Sequence, residues 1–306
     1  MPTIQSSFLD DLASRHRDML QRAGYKLPAN AVLRDFTDMY LNARSRTIEP
    51  RPRRVHEAKD LAATCPAGME DALSLFRAEL VAGEDVNAHL SRTLMDPEYT
   101  DALLVSWDVH HFHLALTKNP EGFVTGQKTV LFGRITRDDA YLAYFGDHKR
   151  PDGGRMFKSI EIVEALHRNW PETLAEFRVE GYGFGDPEKN PEPTTTPQQW
   201  ADWTRSTNLN APVRTSDGTH YLIGARMTSG TSLDLRIHID DWRRRYRRLE
   251  EHARATVEAQ VSARLPIGTG VPSELRLRLL FDEDGKPYVQ EEATGLLIDV
   301  PSVDDL

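Results

Sequence analysis

The sequence predicts an α+β protein with an N-terminal helical region, a central antiparallel sheet with a flanking helix, and a C-terminal α+β segment. Apolar residues recur at helical spacing early in the chain, short β-rich runs follow, and a long helical pattern and a hairpin signal close it. We therefore expect four consecutive regions. These are a helical region at 1–100, a sheet core at 101–182, a proline- and threonine-rich loop at 183–217, and strands with a long helix at 218–306.

The helical region carries three amphipathic patterns. Segments 8–25, 30–44 and 69–86 space their apolar residues three and four positions apart, which predicts helices, and Gly83 is a typical stop for the third. Segment 46–61 holds two prolines and is expected to be an exposed, extended connector. Because the segment has arginines at positions 51, 53 and 54, an arm that contacts phosphate is the alternative interpretation. The isolated histidines of this region are expected at the surface: His16, His56 and His89.

The central region changes to β-branched and aromatic residues. Runs at 102–117, 128–136 and 140–149 predict three strands, and the short gaps between them favour an antiparallel meander. A helical pattern at 156–174 must end before Pro171.

The C-terminal region begins with two further predicted strands. They occupy 220–228 and 232–239, with TSG as the turn between them. A long helix is expected over 240–265, and the DEDG turn predicts a hairpin within 275–292.

Composition narrows the class of protein. The net charge of −9 argues against a protein that coats nucleic acid through clustered cations. No run approaches the roughly 18 apolar residues that a membrane span needs. Cys65 is the single cysteine, so an internal disulfide is excluded and a reducing cytoplasm is the expected location.

The run SWDVHHFHLALT places His110, His111 and His113 within four positions. On a strand, His111 and His113 share one face, and His110 shares the other with Asp108, whose carboxylate could orient its imidazole. Three interpretations stay open: metal ligands, acid–base groups for phosphate chemistry, and interior imidazoles with hydrogen-bond partners. His148 is a candidate third ligand or second acid–base group.

RNA cleavage without metal needs a base, an acid and cations for the phosphorane charge. Histidine serves both proton roles near neutral pH. The cations close in sequence to the histidines are Lys128, Arg134, Lys149, Arg150 and Arg155.

The texts VSWDVHHFHLAL, KTVLFGRI and AYLAYFGDHKRP follow one another within about residues 102–170. Their order resembles the RelE and HigB toxin group, endoribonucleases with helices packed on an antiparallel sheet. The resemblance implies a metal-independent endoribonuclease of a toxin–antitoxin system or of phage defence, without a cofactor. The roles expected are general base for His111 or His113, general acid for His148, and phosphate contacts for Lys128 and Lys149.

Two other functions remain alternatives. One is a non-catalytic interaction protein, antitoxin-like or an immunity partner, whose arginine-rich helix at 241–264 contacts an acidic partner. The other is a metal-dependent hydrolase with histidine ligands. RNA and a protein are the expected partners, whereas a membrane and DNA are not.

Overall fold

The computed structural model describes residues 2–147, 160–179, 213–222 and 232–306. Within them, helices and mixed sheets give the α+β class that the sequence predicts. In chain order, the helices and strands are β1 (Thr3–Ser6), α1 (Phe8–Arg22), α2 (Asp35–Arg46), β2 (Arg54–Glu57), α3 (Leu61–Thr64), α4 (Glu70–Ala82), α5 (Ala102–Trp107), β3 (His110–Phe112), β4 (Thr129–Ile135), β5 (Asp139–Asp147), α6 (Ile160–Asn169), β6 (Val213–Arg214), β7 (His220–Tyr221), α7 (Leu233–Arg264), β8 (Glu274–Phe281), β9 (Pro287–Glu291) and β10 (Leu297–Ile298).

The chain divides into two compact units. The terminal unit comprises Met1–Arg44, Met95–Glu98 and Leu235–Leu306, and the central unit comprises Ser45–Leu94 and Tyr99–Asp234. This division differs from the four consecutive regions expected from the sequence, because β1 pairs in parallel with β8 and joins the first residues to the last strands.

The terminal unit packs its helices on a four-stranded sheet of order β1-β8-β9-β10. The predicted hairpin is present as β8 and β9, which pair antiparallel. Along β8, leucines point into the core and arginines outward, as the two-residue period of a strand requires. The core of this unit includes Phe8, Leu12, Leu249, Val257, Leu275 and Leu277.

The long helix α7 begins earlier than the sequence indicated. The segment 232–239 was expected to be a strand, and that prediction is wrong, because α7 already starts at Leu233. Arg236 forms an i,i+4 ion pair with Asp240, and Ile239 continues the buried stripe of the helix. The alternation of apolar and polar residues therefore belongs to the first turns of a helix, which ends at Arg264 before Pro266.

The central unit holds a four-stranded sheet of order β2-β5-β4-β3. Strands β3, β4 and β5 form the antiparallel meander that the sequence predicted. Strand β2 lies in the segment expected to be a connector, and it pairs in parallel with β5, so the sheet is mixed. The prolines precede β2 and therefore leave its backbone hydrogen bonds intact.

The predicted first strand of the meander, 102–117, is mostly not a strand. Residues 102–107 form α5, because the Asp101 carboxylate accepts hydrogen bonds from the N–H groups of Leu103 and Leu104 and caps the helix. The helix ends at Asp108, whose backbone is left-handed with φ 51°. The strand is limited to His110–Phe112.

Two histidines expected at the surface are buried. His16 is 3% exposed and stacks on Tyr40, with ring centroids 4.2 Å apart. His89 is 1% exposed, with one ring nitrogen 2.7 Å from Glu79 Oε2 and the other 2.8 Å from the carbonyl oxygen of His113. The prediction of surface positions was wrong for both histidines, because an isolated polar residue gives no sequence signal of burial.

Some expectations concern residues outside the described ranges. The predicted loop at 183–217 is described only from Val213, where β6 pairs with β7. Most of the predicted strand 220–228 also lies outside them. In the ranges that are described, no helix has the length and apolar character needed to cross a membrane.

Candidate functional site

A cleft of about 530 Å³ opens in the central unit. Three segments form its walls: the chain before β2, the end of α5 with the start of β3, and the turn between β4 and β5. Its volume falls in the range of sites that bind small molecules. The residues lining it are Ser45, Thr47, Ile48, Glu49, Arg51, Arg53, Leu104, Asp108, His110, Ile135, Thr136 and Arg137.

Arg53 is the most buried cation of the cleft, at 7% exposure. Its guanidinium donates to three backbone carbonyl oxygens, those of Thr136, Arg51 and Glu49, at 3.0, 3.2 and 3.0 Å. Burial lowers the pKa of Arg53, and the nearby charge of Arg51 acts in the same direction. The cleft wall thus contains a guanidinium held by carbonyl groups, which orient it without neutralising its charge.

The segment that carries Arg51 and Arg53 rests on the end of α4. Gly83 ends this helix with φ 79°, and a Cβ atom there would lie 2.5 Å from the backbone nitrogen of Pro52. The N–H of Arg53 also donates to the carbonyl of Leu80 at 3.0 Å. Glycine is therefore required both for the left-handed turn and for the close approach of the cleft wall.

Asp108 lies at the turn between α5 and β3. Its Oδ2 accepts a hydrogen bond of 3.0 Å from Arg134 Nε, and Arg134 also bonds Glu176 at 2.6 Å. Desolvation raises the pKa of Asp108, and the ion pair with Arg134 opposes that rise. The sequence indicated that Asp108 could orient His110, but in the structure this carboxylate forms an ion pair with Arg134.

His110 is the histidine that borders the cleft. Its partner across the ladder is Gly133, beside the bulge between β4 and β5. The imidazole is 9% exposed, and its ring contacts that of Phe112, with centroids 5.8 Å apart. Burial lowers the pKa of His110 to about 4, with smaller contributions from neighbouring charges. The ring is therefore neutral at pH 7 and has a nitrogen able to accept a proton.

The other histidines of the run are placed differently. The rings of His111 and His113 are neighbours, as the strand spacing predicted, with centroids 5.9 Å apart. His111 is 6% exposed, and its Nδ1 lies 3.8 Å from Asp101 Oδ2. His113 is half-buried, and its N–H donates to the carbonyl of His89 at 2.8 Å. Neither lines the cleft.

The lysine expected to contact phosphate lies elsewhere on the sheet. Lys128 is exposed and pairs with Asp147, with Nζ 2.6 Å from Oδ2. Asp147 is opposite Thr129, whereas His111 is opposite Phe132. Three residues of strand separate these positions by about 10 Å. His148 and Lys149, and with them Arg150 and Arg155, lie outside the described residues.

Sequence reasoning missed much of the cleft. The available signal was the arginine group at 51–54, of which Arg51 and Arg53 line the cleft. A contact of this segment with phosphate stays a prediction. Arg137 gave no signal, because a charged residue in a turn is normally solvated.

The arginine-rich helix α7 has internal partners. Arg243 bonds Asp38 at 2.6 Å, and Arg245 bonds Asp241 at 2.8 Å. These pairs reduce the positive charge that an acidic partner would meet.

The described ranges contain no group of three or more His, Cys, Asp and Glu side chains arranged to hold a metal ion. No protein-family model, curated protein or solved structure matches the chain.

Proposed function

We propose that the central unit binds a phosphodiester in the cleft, with RNA as the substrate, and that His110 is the general base of its cleavage. The observation that carries this proposal is a buried imidazole at the wall of a cleft that three arginines also line. The function is the one expected from the resemblance, but the base differs. A role in a toxin–antitoxin system or in phage defence stays a prediction.

Electrostatics favour an anion in the cleft. Arg51, Arg53 and Arg137 line it together with the two carboxylates Glu49 and Asp108. Asp108 is paired with Arg134, and Arg51 lies 4.0 Å from Glu49. Arg53 keeps its charge beside carbonyl groups, in a place where low solvent exposure strengthens attraction to phosphate. Arginine also matches phosphate geometry through paired N–H groups.

The proton inventory of the reaction fits His110. The RNA 2′-hydroxyl gives its proton to the neutral imidazole, and its oxygen bonds to phosphorus. The bond from phosphorus to the 5′-oxygen breaks, and that oxygen takes a proton from water in the open cleft. Arginines stabilise the charge of the phosphorane. His110 then returns its proton to solvent, so no redox partner or metal enters the balance.

The test uses the purified full chain and a fluorescent single-stranded RNA. A matched RNA carrying 2′-O-methyl groups lacks the nucleophile and should bind without being cleaved. His110→Gln should lower cleavage about 10²–10⁴-fold, the usual contribution of a general base. Arg137→Ala should weaken RNA binding, because it removes a cation that lines the cleft. The variant should remain folded, because Arg137 is exposed.

Three outcomes contradict parts of the proposal. Cleavage by His110→Gln at the wild-type rate removes His110 as the base. Loss of cleavage in His113→Gln alone returns that role to a residue expected from the resemblance. Binding of both RNAs without cleavage of either leaves the cleft as a binding site and favours the non-catalytic alternative. Circular dichroism of each variant shows whether it is folded.

A further inference from the structure

We propose that Asp101 is a positioning residue for His110 and that it acts, together with His111, from a small cavity, the inner cavity, that shares His110 with the cleft. The catalytic consequence rests on the function proposed above, whereas the arrangement itself is testable without any substrate. Asp101 does not touch the ligand in this proposal. It orients the imidazole of His110, which does touch the ligand, and its negative charge favours the protonated form of that ring.

The inner cavity has a volume of about 20 Å³. One water molecule needs about 10–15 Å³ and at least two polar partners, so the cavity has room for one. Its lining supplies the partners, because both histidines and the Asp101 carboxylate belong to it. The residues lining it are Arg46, Leu90, Ser91, Thr93, Leu94, Tyr99, Asp101, Leu104, His110 and His111.

The two carboxylate oxygens of Asp101 have different tasks. Oδ1 caps α5 by accepting from the N–H groups of Leu103 and Leu104, at 2.9 and 3.2 Å. Oδ2 lies 3.8 Å from His111 Nδ1, which is too long for a direct hydrogen bond and short enough for a bridging water or a small adjustment. The cap therefore fixes the carboxylate, and the second oxygen is available to the histidines.

His110 separates the cleft from the inner cavity, since it lines both. The negative charge of Asp101 favours the protonated imidazole, whereas His111 and Arg53 disfavour it. The other charged groups of the cleft are Glu49, Arg51, Asp108 and Arg137. During cleavage the proton moves from the hydroxyl to His110 and is not passed on to Asp101. The carboxylate of Asp101 stabilises the imidazolium as it forms, which is the part of an orienting carboxylate.

The decisive variant is Asp101→Asn. Asparagine keeps an oxygen that can cap α5, and an uncharged NH2 group replaces the carboxylate oxygen that faces His111. Nuclear magnetic resonance of the histidine ring protons in the free protein should show His110 losing its proton at lower pH than in the wild type. Cleavage should show a fall in kcat of about tenfold, the factor equivalent to one pKa unit, with KM unchanged.

Asp85→Asn is the matched control. Asp85 also caps a helical turn through a carboxylate in the central unit, with Oδ1 accepting from the N–H of Asn87 at 2.9 Å. It does not line the cleft or the inner cavity. This variant should leave the His110 titration and kcat at their wild-type values, because its side chain is not near the imidazole. If the effect of Asp101→Asn came only from losing the charge of a helix cap, both variants would show it.

The outcomes separate this inference from the proposed function. An unchanged His110 titration in Asp101→Asn overturns the positioning role, whether or not the wild type cleaves RNA. A shifted titration in a protein that does not cleave RNA supports the arrangement and removes the proposed function. An equal shift in Asp85→Asn also overturns the inference.

Discussion

The buried imidazole of His16 should make the protein lose stability in mild acid. Burial lowers the pKa of His16 from 6.5 to about 3, and Arg15 adds to this effect. The ring stacks on Tyr40 and its Nδ1 lies 3.3 Å from Thr37 Oγ1. Between these two pKa values, His16 is protonated in the unfolded chain and neutral in the folded protein. The free energy of unfolding therefore falls as the pH falls.

The size of the loss follows from this difference. At pH 7.5 the histidine is neutral in both states and contributes no loss. At pH 5 it lies 1.5 units below the unfolded value, which corresponds to about 2 kcal/mol of unfolding free energy at roughly 1.4 kcal/mol per unit. The loss would be complete only below about pH 3. His110, with a pKa lowered to about 4, adds a second loss of similar size in the same pH range.

Urea unfolding at pH 7.5 and pH 5 measures this effect, with His16→Phe to isolate it. Phenylalanine keeps a ring against Tyr40 and cannot bind a proton. Between the two pH values, the wild type should lose about 2 kcal/mol more than this variant. His252→Phe, on the exposed side of α7, is the matched control and should behave as the wild type. Equal losses in wild type and His16→Phe, or a His16 ring signal that titrates near pH 6.5, would refute the reasoning.

Three further substitutions test the cleft wall, a buried histidine and an exposed ion pair. Gly83→Ala should destabilise the protein by at least about 2 kcal/mol in urea and weaken RNA binding, because a left-handed alanine is strained and its Cβ collides with Pro52. His89→Gln should cost about 1–3 kcal/mol by disrupting the bonds at Glu79, and a smaller change would contradict its structural role. Lys128→Ala should change stability by less than about 1 kcal/mol and leave cleavage unaltered, whereas a large loss of activity would restore the phosphate role expected from the resemblance.

Elements with local signals could be predicted from the sequence. The helix α4 ends at Gly83 as expected, and the β8–β9 hairpin turns at its DEDG text, with Gly285 at φ 80°. Strands β4 and β5 also fall close to their predicted bounds. In these cases the spacing of apolar residues and the turn residues lie within one short window of sequence, so they specify the element without knowledge of its neighbours.

Elements defined by distant partners could not be predicted. Each of the edge strands β1 and β2 has four residues, and their partners lie on β8 and β5, far along the chain. The segment 102–107 has the composition of a strand, yet capping by Asp101 makes it a helix. A four-residue edge strand and a capped helical turn gain their stability from tertiary packing, which composition does not record.

The sequence by itself determined the chemistry available in this protein: a run of histidines, an arginine group before β2, and the absence of a second cysteine. Tertiary structure decided which histidine lines the cleft together with the arginines. Pairing of Arg54 with Asp139 in the sheet brings the arginine segment beside His110, while the short extent of β3 directs His111 toward Asp101. The physical reason is that the side of a strand on which a residue lies depends on register and strand ends, and these are fixed by hydrogen bonds between segments far apart in sequence.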